Sequence, residues 1–342
     1  MRGVVAGPPG AAELSSGRVQ SFAVSSTSLP SRLLGARRLV SRMLAEGRID
    51  LVAAHFALYT VVALDRMRQH PLVVHFHGPW AAESNVEGGG HLSSAAKMLI
   101  ERTVYKRADR AIVLSAAFAH LLCRQYGFDE RRVRIVPGQV DLDRFSVEVS
   151  RADARLQLGW PLDRPILLAI RRLVERTGVY RLIEAMQIVV KAVPDALLFI
   201  GGTGKLGSQL ERIVSDTGLQ DKVRFLGFVS NSNLPLAYRA ADLNVVPSVA
   251  LEGFGLTAAE ALAAGTPSLV TPIGGLPEIV GPLAPDLVCA SERADDLAAS
   301  IIAILKGRLS IPDSAACRAY ARERFSPTAA AARTADVYRE VA

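Results

Sequence analysis

Two carboxylates, Glu252 and Glu260, stand eight residues apart in Pro247-Ser248-Val249-Ala250-Leu251-Glu252-Gly253-Phe254-Gly255-Leu256-Thr257-Ala258-Ala259-Glu260. The Gly-Phe-Gly between them predicts a tight turn that opens a helix over Thr257 to Ala264. The first amides of such a helix have no intrahelical partner and lie at the positive end of its dipole. That combination suits a phosphate or a set of sugar hydroxyls. Glu252 before the turn and Glu260 two turns into the helix can address one ligand from different sides.

Other residues carry weaker chemical signals. Arg171-Arg172-Leu173 follows an apolar run, Ile166–Ile170, that reads as a strand. An arginine there offers a planar fork suited to two phosphate oxygens. Gly202-Thr203-Gly204-Lys205-Leu206-Gly207 matches G-x-G-x-x-G, the dinucleotide fingerprint, and so supports a nicotinamide-dependent oxidoreductase as a rival reading. The match lies mid-chain rather than opening a first βαβ unit, and Leu206 stands where a P-loop needs Ser or Thr. Lys205, beside the turn, is within reach of a phosphate there. All six histidines fall between residues 55 and 120. Alternation puts His75 and His77 on one face of a strand, either as a metal pair, for which no third ligand follows at useful spacing, or as a packed pair. His55 reads as structural. Asp141-Leu142-Asp143 is an Asp-x-Asp, a pattern that holds a metal in other proteins.

The elements that would position these groups alternate. Strands at Asp50–His55, Leu72–His77, Arg110–Ser115 and Val133–Val136 are separated by helices at Leu58–Arg68, Ser93–Arg107 and Ala116–Tyr126. A second set runs from Ile166–Ile170 through Ala196–Gly201, Val223–Leu226 and Leu243–Val246 to Ser268–Thr271, again with helices between. Such alternation predicts α/β architecture with doubly wound parallel sheets, whose ligands bind beyond the carboxyl ends of the strands. Residues 1–30 are rich in Gly, Pro and Ser and yield no firm element. Arg32–Glu46 reads as a basic helix, the polar stretch 143–165 as the linker, and Ser314–Val341 as the closing helix. At 342 residues the chain accommodates two domains. Of the net charge of +7, +6 lies in residues 1–150, either as a solvated arginine-rich surface or as a face that meets anionic lipid or an acidic acceptor. Nucleic acid is disfavoured, since no aromatic–basic repeat accompanies the charge. Cys123, Cys289 and Cys317 are widely separated, which fits a reducing cytoplasm. No apolar run is long enough to cross a bilayer and no signal peptide is legible.

The stretch Pro247–Glu278 resembles the donor-site signature of the family 4 glycosyltransferases, whose mark is a glutamate, Gly-Phe-Gly-Leu and a second glutamate. The likeness extends roughly from Asp50 to the end. It implies the GT-B fold, two Rossmann-like domains facing across a cleft. The first is residues 1–148 and the nucleotide-sugar domain 149–325; residues 326–342 form a helix that packs back on the first. It implies transfer of a hexosyl group from a nucleoside-diphosphate sugar to an acceptor hydroxyl, with retention and without a metal or cofactor, Asp141-Leu142-Asp143 falling in the interdomain loop. By the resemblance, Arg172 neutralises the donor diphosphate, and Thr177-Gly178 stands where the family carries Lys-Gly, with Arg176 or Arg171 as the replacement cation. Gly202, Gly204 and Lys205 line the nucleotide side, and Gly227 leaves room for the base. Glu260 takes the ribose, and Glu252 the transferred sugar. The amides of Gly253, Phe254, Gly255 and Leu256 hold sugar hydroxyls; those of Leu256 and Thr257 hold the diphosphate. His77 is the active-site histidine of the first domain, and Glu83 stands near the acceptor. The acceptor class implied is a polysaccharide, a lipid-linked oligosaccharide or a small metabolite. Work on the inner face of the plasma membrane would use the basic first domain. The family opens with a strand, a glycine-rich loop and a long helix; this chain begins where that unit should be finished, so a first domain short of one strand is expected. An inactive or truncated nucleotide-sugar-binding relative is the remaining alternative.

Overall fold

The computed structural model describes residues 1–7, 10–24, 27–88 and 90–342. Its strands are β1 (Gly3–Ala6), β2 (Val19–Ala23), β3 (Val52–Ala54), β4 (Leu72–Phe76), β5 (Arg110–Val113), β6 (Val133–Ile135), β7 (Ile166–Ile170), β8 (Leu197–Gly201), β9 (Val223–Gly227), β10 (Leu243–Val246) and β11 (Ser268–Val270). They form a small two-stranded parallel sheet, β1-β2, and two large parallel sheets, the first β3-β4-β5-β6 and the second β11-β10-β7-β8-β9. Runs such as Ile166-Leu167-Leu168-Ala169 and Leu197-Leu198-Phe199-Ile200 lie buried, as strands covered by helices on both faces require.

Connectivity locates the site. From β7 the chain steps outward through β8 to β9, whereas β10 and β11 lie on the other side of β7. The direction of winding therefore reverses between β7 and β10. A crevice opens beyond the carboxyl ends of strands at such a switch point. Arg171 leaves the end of β7 and Pro247 the end of β10.

Helices pack mainly through their apolar faces. Val179–Ala192 buries Leu182, Ile183, Met186 and Val189 against the second sheet, while Phe118 and Leu122 of Ala116–Tyr126 join Leu72, Val74 and Phe76 under the first. Helix Pro327–Arg339 lies on the opposite face of the first sheet, where Val337 meets Val73, Ile112 and Val136. Glu340 accepts from Arg110 and Arg134 beside it.

Several expectations are corrected. The polar stretch 143–165 contains a helix, Arg151–Leu158, capped by Ser150 and ended by left-handed Gly159. Its polarity misleads because Arg155, 4% exposed, is buried with its guanidinium bonded to Asp242 and to the carbonyls of Leu162, Arg164 and Ala240. The closing segment is two helices, Ser314–Arg324 and Pro327–Arg339, because Ser326 caps a new start and Pro327 takes its first turn. Residues 1–30, unplaced from the sequence, contribute β1 and β2.

Candidate active site

The eight-residue helix Leu256–Ala263 starts from Gly255, which is left-handed at φ +94° and gives no side-chain cap. A Cβ on Gly255 would lie 2.4 Å from Leu276 Cδ2. The helix tip is thus bare backbone by construction.

Glu252 stands at its mouth with a 13% exposed side chain. Its Oε2 accepts from Arg171 Nη2 at 2.5 Å and from Ser248 Oγ at 2.9 Å. Arg171 Nη2 also donates to Ser248 Oγ at 2.7 Å, and Nη1 to Thr257 Oγ1 at 3.3 Å. Burial alone would raise the Glu252 pKa. The Arg171 guanidinium, the Ser248 hydroxyl and Arg176 outweigh it and hold the carboxyl below its usual value. Leu251, immediately before, is one of two non-glycine residues with positive φ (+51°) among the described residues. Such a conformation costs about 1–2 kcal/mol and persists only where its surroundings impose it. Two contacts do so: Arg176 Nη1 donates to Leu251 O at 3.4 Å, and Gly275 N to Glu252 O at 2.9 Å.

Glu260 lies one turn into the helix, not two, because it follows Leu256 by only four residues. Its Oε2 accepts from Tyr238 Oη at 3.0 Å, and burial raises its pKa despite that bond. Gly227 ends β9 at φ +64° with nothing within 4 Å of where a Cβ would sit, and Phe228 beside it is 77% exposed. This open shelf lies at the carboxyl end of the same sheet. Phe254 turns its ring inward, edge-on to Phe325 at 5.6 Å and over Gly138, so only its backbone faces the turn.

Around Arg172 the structure separates neighbours the sequence could not. Arg172 is exposed, whereas Arg171 is the residue bonded to Glu252. Thr177 is buried, its hydroxyl donating to the carbonyls of Arg172 and Val174. It therefore shapes the turn and offers nothing to a ligand. Arg176, 13% exposed, lies 3.6 Å from the Glu87 carboxylate.

The Gly202–Gly204 turn does not resemble an open phosphate cradle. A Cβ on Gly202 would lie 1.9 Å from Arg171 O, and one on Gly204 2.3 Å from Leu173 O. Leu173 N bonds Thr203 O, and Leu206 N bonds Leu173 O. These glycines allow two backbones to pack, where a dinucleotide fingerprint needs its second glycine to make room for pyrophosphate. The oxidoreductase reading loses its structural basis. Lys205 reaches outward to the carbonyl of Glu87.

From the first sheet, His77 follows β4. Its Nε2 is 3.0 Å from His55 Nδ1, and the His55 and His75 rings stack at 4.1 Å. His75 Nε2 pairs with Tyr338 Oη at 2.8 Å. Burial and the neighbouring imidazoles push His75 down to about 3; partial burial and His55 lower His77. The shifts favour the uncharged form of all three rings. His55, expected to be structural, shares the cluster, but no group of His, Cys, Asp or Glu among the described residues is arranged to hold a metal. Asp141 instead caps the turn Leu142–Phe145. Glu83 lies against Gly78 in helix Trp80–Val86. Burial and the carboxylates of Glu87 and Glu252 raise its pKa against the pull of Arg176 and Arg172, so Glu83 faces the charges of the second half.

Sequence reasoning missed four supporting residues. Ser248 and Tyr238 hold the two glutamates. Glu101, 1% exposed, accepts from the amides of Trp80 and Ala81 and from Tyr126 Oη, fixing the helix that carries Glu83. Glu278 reaches across the cleft and accepts from Ala116 N at 2.9 Å and Ala117 N at 3.0 Å, capping helix Ala116–Tyr126 of the first half. Glu278 had the visible signal of closing the signature stretch; Tyr238 had none.

Comparison with known proteins fits this geometry. Residues 150–324 match the profile described as Glycosyl transferases group 1, and residues 4–144 that of Glycosyltransferase Family 4. A D-inositol 3-phosphate glycosyltransferase of Geodermatophilus obscurus is 33% identical over 301 residues, 82% of this chain and 65% of its own. D-inositol 3-phosphate glycosyltransferase 2 of Catenulispora acidiphila is 34% identical over 252 residues, 71% of this chain and 58% of its own. The chain thus spans about three fifths of the length of these relatives. Among solved structures, Anabaena HepE in complex with UDP superposes with a TM-score of 0.78 at 21% identity, covering 96% of this chain and 88% of that one.

Proposed function

The chain belongs to the glycosyl transferases group 1 family and has the GT-B fold, and from that premise we propose that it moves a hexosyl group from a nucleoside-diphosphate sugar to an acceptor hydroxyl with retention of anomeric configuration. The observation that carries this reading is the buried Glu252 carboxylate, held ionised by Arg171 beside an uncapped helix tip at the switch point of the second sheet. The diphosphate lies at the amides of Leu256 and Thr257, with Arg172 at the mouth of the cleft. Glu252 and the amides of Gly253 to Leu256 hold the sugar. Glu260 meets the ribose and the shelf at Gly227 the base. Neutral His77, across the cleft, orders the acceptor hydroxyl, and Glu83 stands at the acceptor side.

The chemistry needs no protein nucleophile in this reading. The bond from the anomeric carbon to the diphosphate oxygen breaks, and the acceptor oxygen bonds that carbon from the same face. The departing phosphate oxygen takes the acceptor proton. Arginine and helix dipole stabilise the charge that develops on the leaving group, so a chelator leaves turnover intact. The similarity to D-inositol 3-phosphate glycosyltransferases favours a cyclitol hydroxyl as acceptor, and the basic first half favours one presented at an anionic membrane surface. No helix among the described residues is long and apolar enough to cross a membrane. The test is release of UDP or GDP from a panel of nucleotide sugars, with and without acceptors, in the protein and in Glu252→Ala. Undiminished release in the variant refutes the assignment.

A further inference from the structure

The Arg171 side chain is only 7% exposed, and its guanidinium occupies the corner between Glu252, Ser248 and the first turn of helix Leu256–Ala263. A cation at the positive end of a helix dipole is electrostatically misplaced unless anions share the space. Its donors are incompletely used: Nη2 serves Glu252 and Ser248, Nη1 makes one long bond to Thr257, and Nε is buried with no acceptor at all. A guanidinium has five N–H donors, and leaving a buried donor unmet is costly. Its backbone has no freedom to swing away. Arg171 N donates to Gly201 O at 2.9 Å, and Arg171 O abuts Gly202 so closely that a Cβ there would lie at 1.9 Å. Thr177, meanwhile, spends its hydroxyl on the turn.

We propose that Arg171 contacts the donor diphosphate directly, giving the leaving group a second arginine beside Arg172, and that its ion pair with Glu252 ties phosphate recognition to sugar recognition. The proposal rests on the donor site described above. It adds that one guanidinium is shared between Glu252 and the phosphate oxygens, so the two anions compete for its positive charge. Removing the carboxylate should therefore tighten the grip on diphosphate, whereas removing the guanidinium should loosen it selectively. A guanidinium that merely orders Glu252 does neither.

Titration calorimetry with UDP, UMP, GDP and GMP separates these cases in the whole chain. Arg171→Gln is expected to weaken the preferred diphosphate by about tenfold or more, the scale of one lost charged hydrogen bond, and its monophosphate by less than about threefold. Arg171→Gln with the wild-type ratio of diphosphate to monophosphate affinity overturns the proposal and leaves the donor site standing. Should Arg171→Gln not fold, Glu252→Gln decides: diphosphate affinity raised by about threefold or more supports sharing, and unchanged or lowered affinity overturns it. A wild-type protein that binds neither UDP nor GDP takes down the donor site and this proposal together.

Discussion

Gly274 puts the positioning of Glu252 to a direct test. It sits at φ +58°, and a Cβ built on it would lie 1.9 Å from Glu252 O, 2.9 Å from its carbonyl carbon and 3.2 Å from its nitrogen. Gly274→Ala therefore carries two costs. The left-handed conformation costs an alanine about 1–2 kcal/mol. The Glu252 carbonyl must also retreat by about 1.5 Å to reach ordinary contact, which strips the Gly275 N–H of its acceptor for about 1 kcal/mol more. A net loss of about 2–3 kcal/mol is expected in urea denaturation. With Glu252 in the proposed sugar-binding role, a shift of about 1 Å costs about a hundredfold in rate, so kcat/KM should fall on that scale in protein that remains folded. Gly218→Ala is the control. It shares a positive φ of +68° with nothing within 4 Å of the added carbon. It should lose about 1 kcal/mol and keep wild-type kcat/KM. A folded Gly274→Ala protein with wild-type kcat/KM would refute the argument that this glycine sets the place of Glu252.

Other expectations follow from the same geometry. Glu278→Gln leaves one acceptor for the two amides of Ala116 and Ala117 and removes the charge at that helix N-terminus, worth about 1 kcal/mol; kcat should fall severalfold, with nucleotide affinity and the melting temperature little changed. Arg172→Ala should weaken nucleoside-diphosphate binding in calorimetry while leaving the fold intact by circular dichroism. His75 binds a proton near pH 6.5 when unfolded but only near pH 3 when folded. Between those values the unfolded chain holds more protons, so stability drains as pH falls, at up to about 1.4 kcal/mol per pH unit. His75→Gln, which keeps a polar partner for Tyr338, should flatten urea midpoints across that window; an unchanged slope would mean that His75 does not carry this pH dependence.

Most of the fold is legible in the sequence because buried parallel strands write themselves as apolar runs. Ile166–Ile170 reads as a strand with the bounds it has in the structure, and the Gly-Phe-Gly helix start falls within one residue. Errors arise where polarity and burial part company. The polar, largely exposed helix Arg151–Leu158, anchored by buried Arg155, looks like a linker, and the Gly, Pro and Ser of residues 1–30 hide two strands whose pairing is with each other. At the site, motif spacing locates the carboxylates but cannot say which of two adjacent arginines turns inward. That choice is made by Gly202, whose bare Cα pins the backbone of Arg171. Nor can spacing show that Glu101 and Glu278 spend their charges on helix N-termini far away in sequence; helix Ala116–Tyr126 already has its own cap in Ser115, so nothing in its sequence calls for a second.

The segment Ile273–Glu278 links two functions that are usually treated apart. At one end, Gly274 and Gly275 press against the carbonyls of Glu252 and Gly253, setting the Glu252–Gly255 turn from behind. Three residues on, Glu278 fastens the first half of the molecule through the amides of Ala116 and Ala117. The same first-half helix packs Phe118 so closely on Gly253 that a Cβ there would lie 2.6 Å from its ring. Cleft closure and placement of Glu252 are therefore carried by one short piece of backbone with no slack in it. Strain at Leu251, on the far side of Glu252, is sustained by the same enclosure, because Arg176 holds its carbonyl and pairs with Glu87 of the first half. Opening the cleft must release both restraints on the carboxylate at once, so a protein prevented from closing should lose catalytic turnover before it loses affinity for the nucleotide.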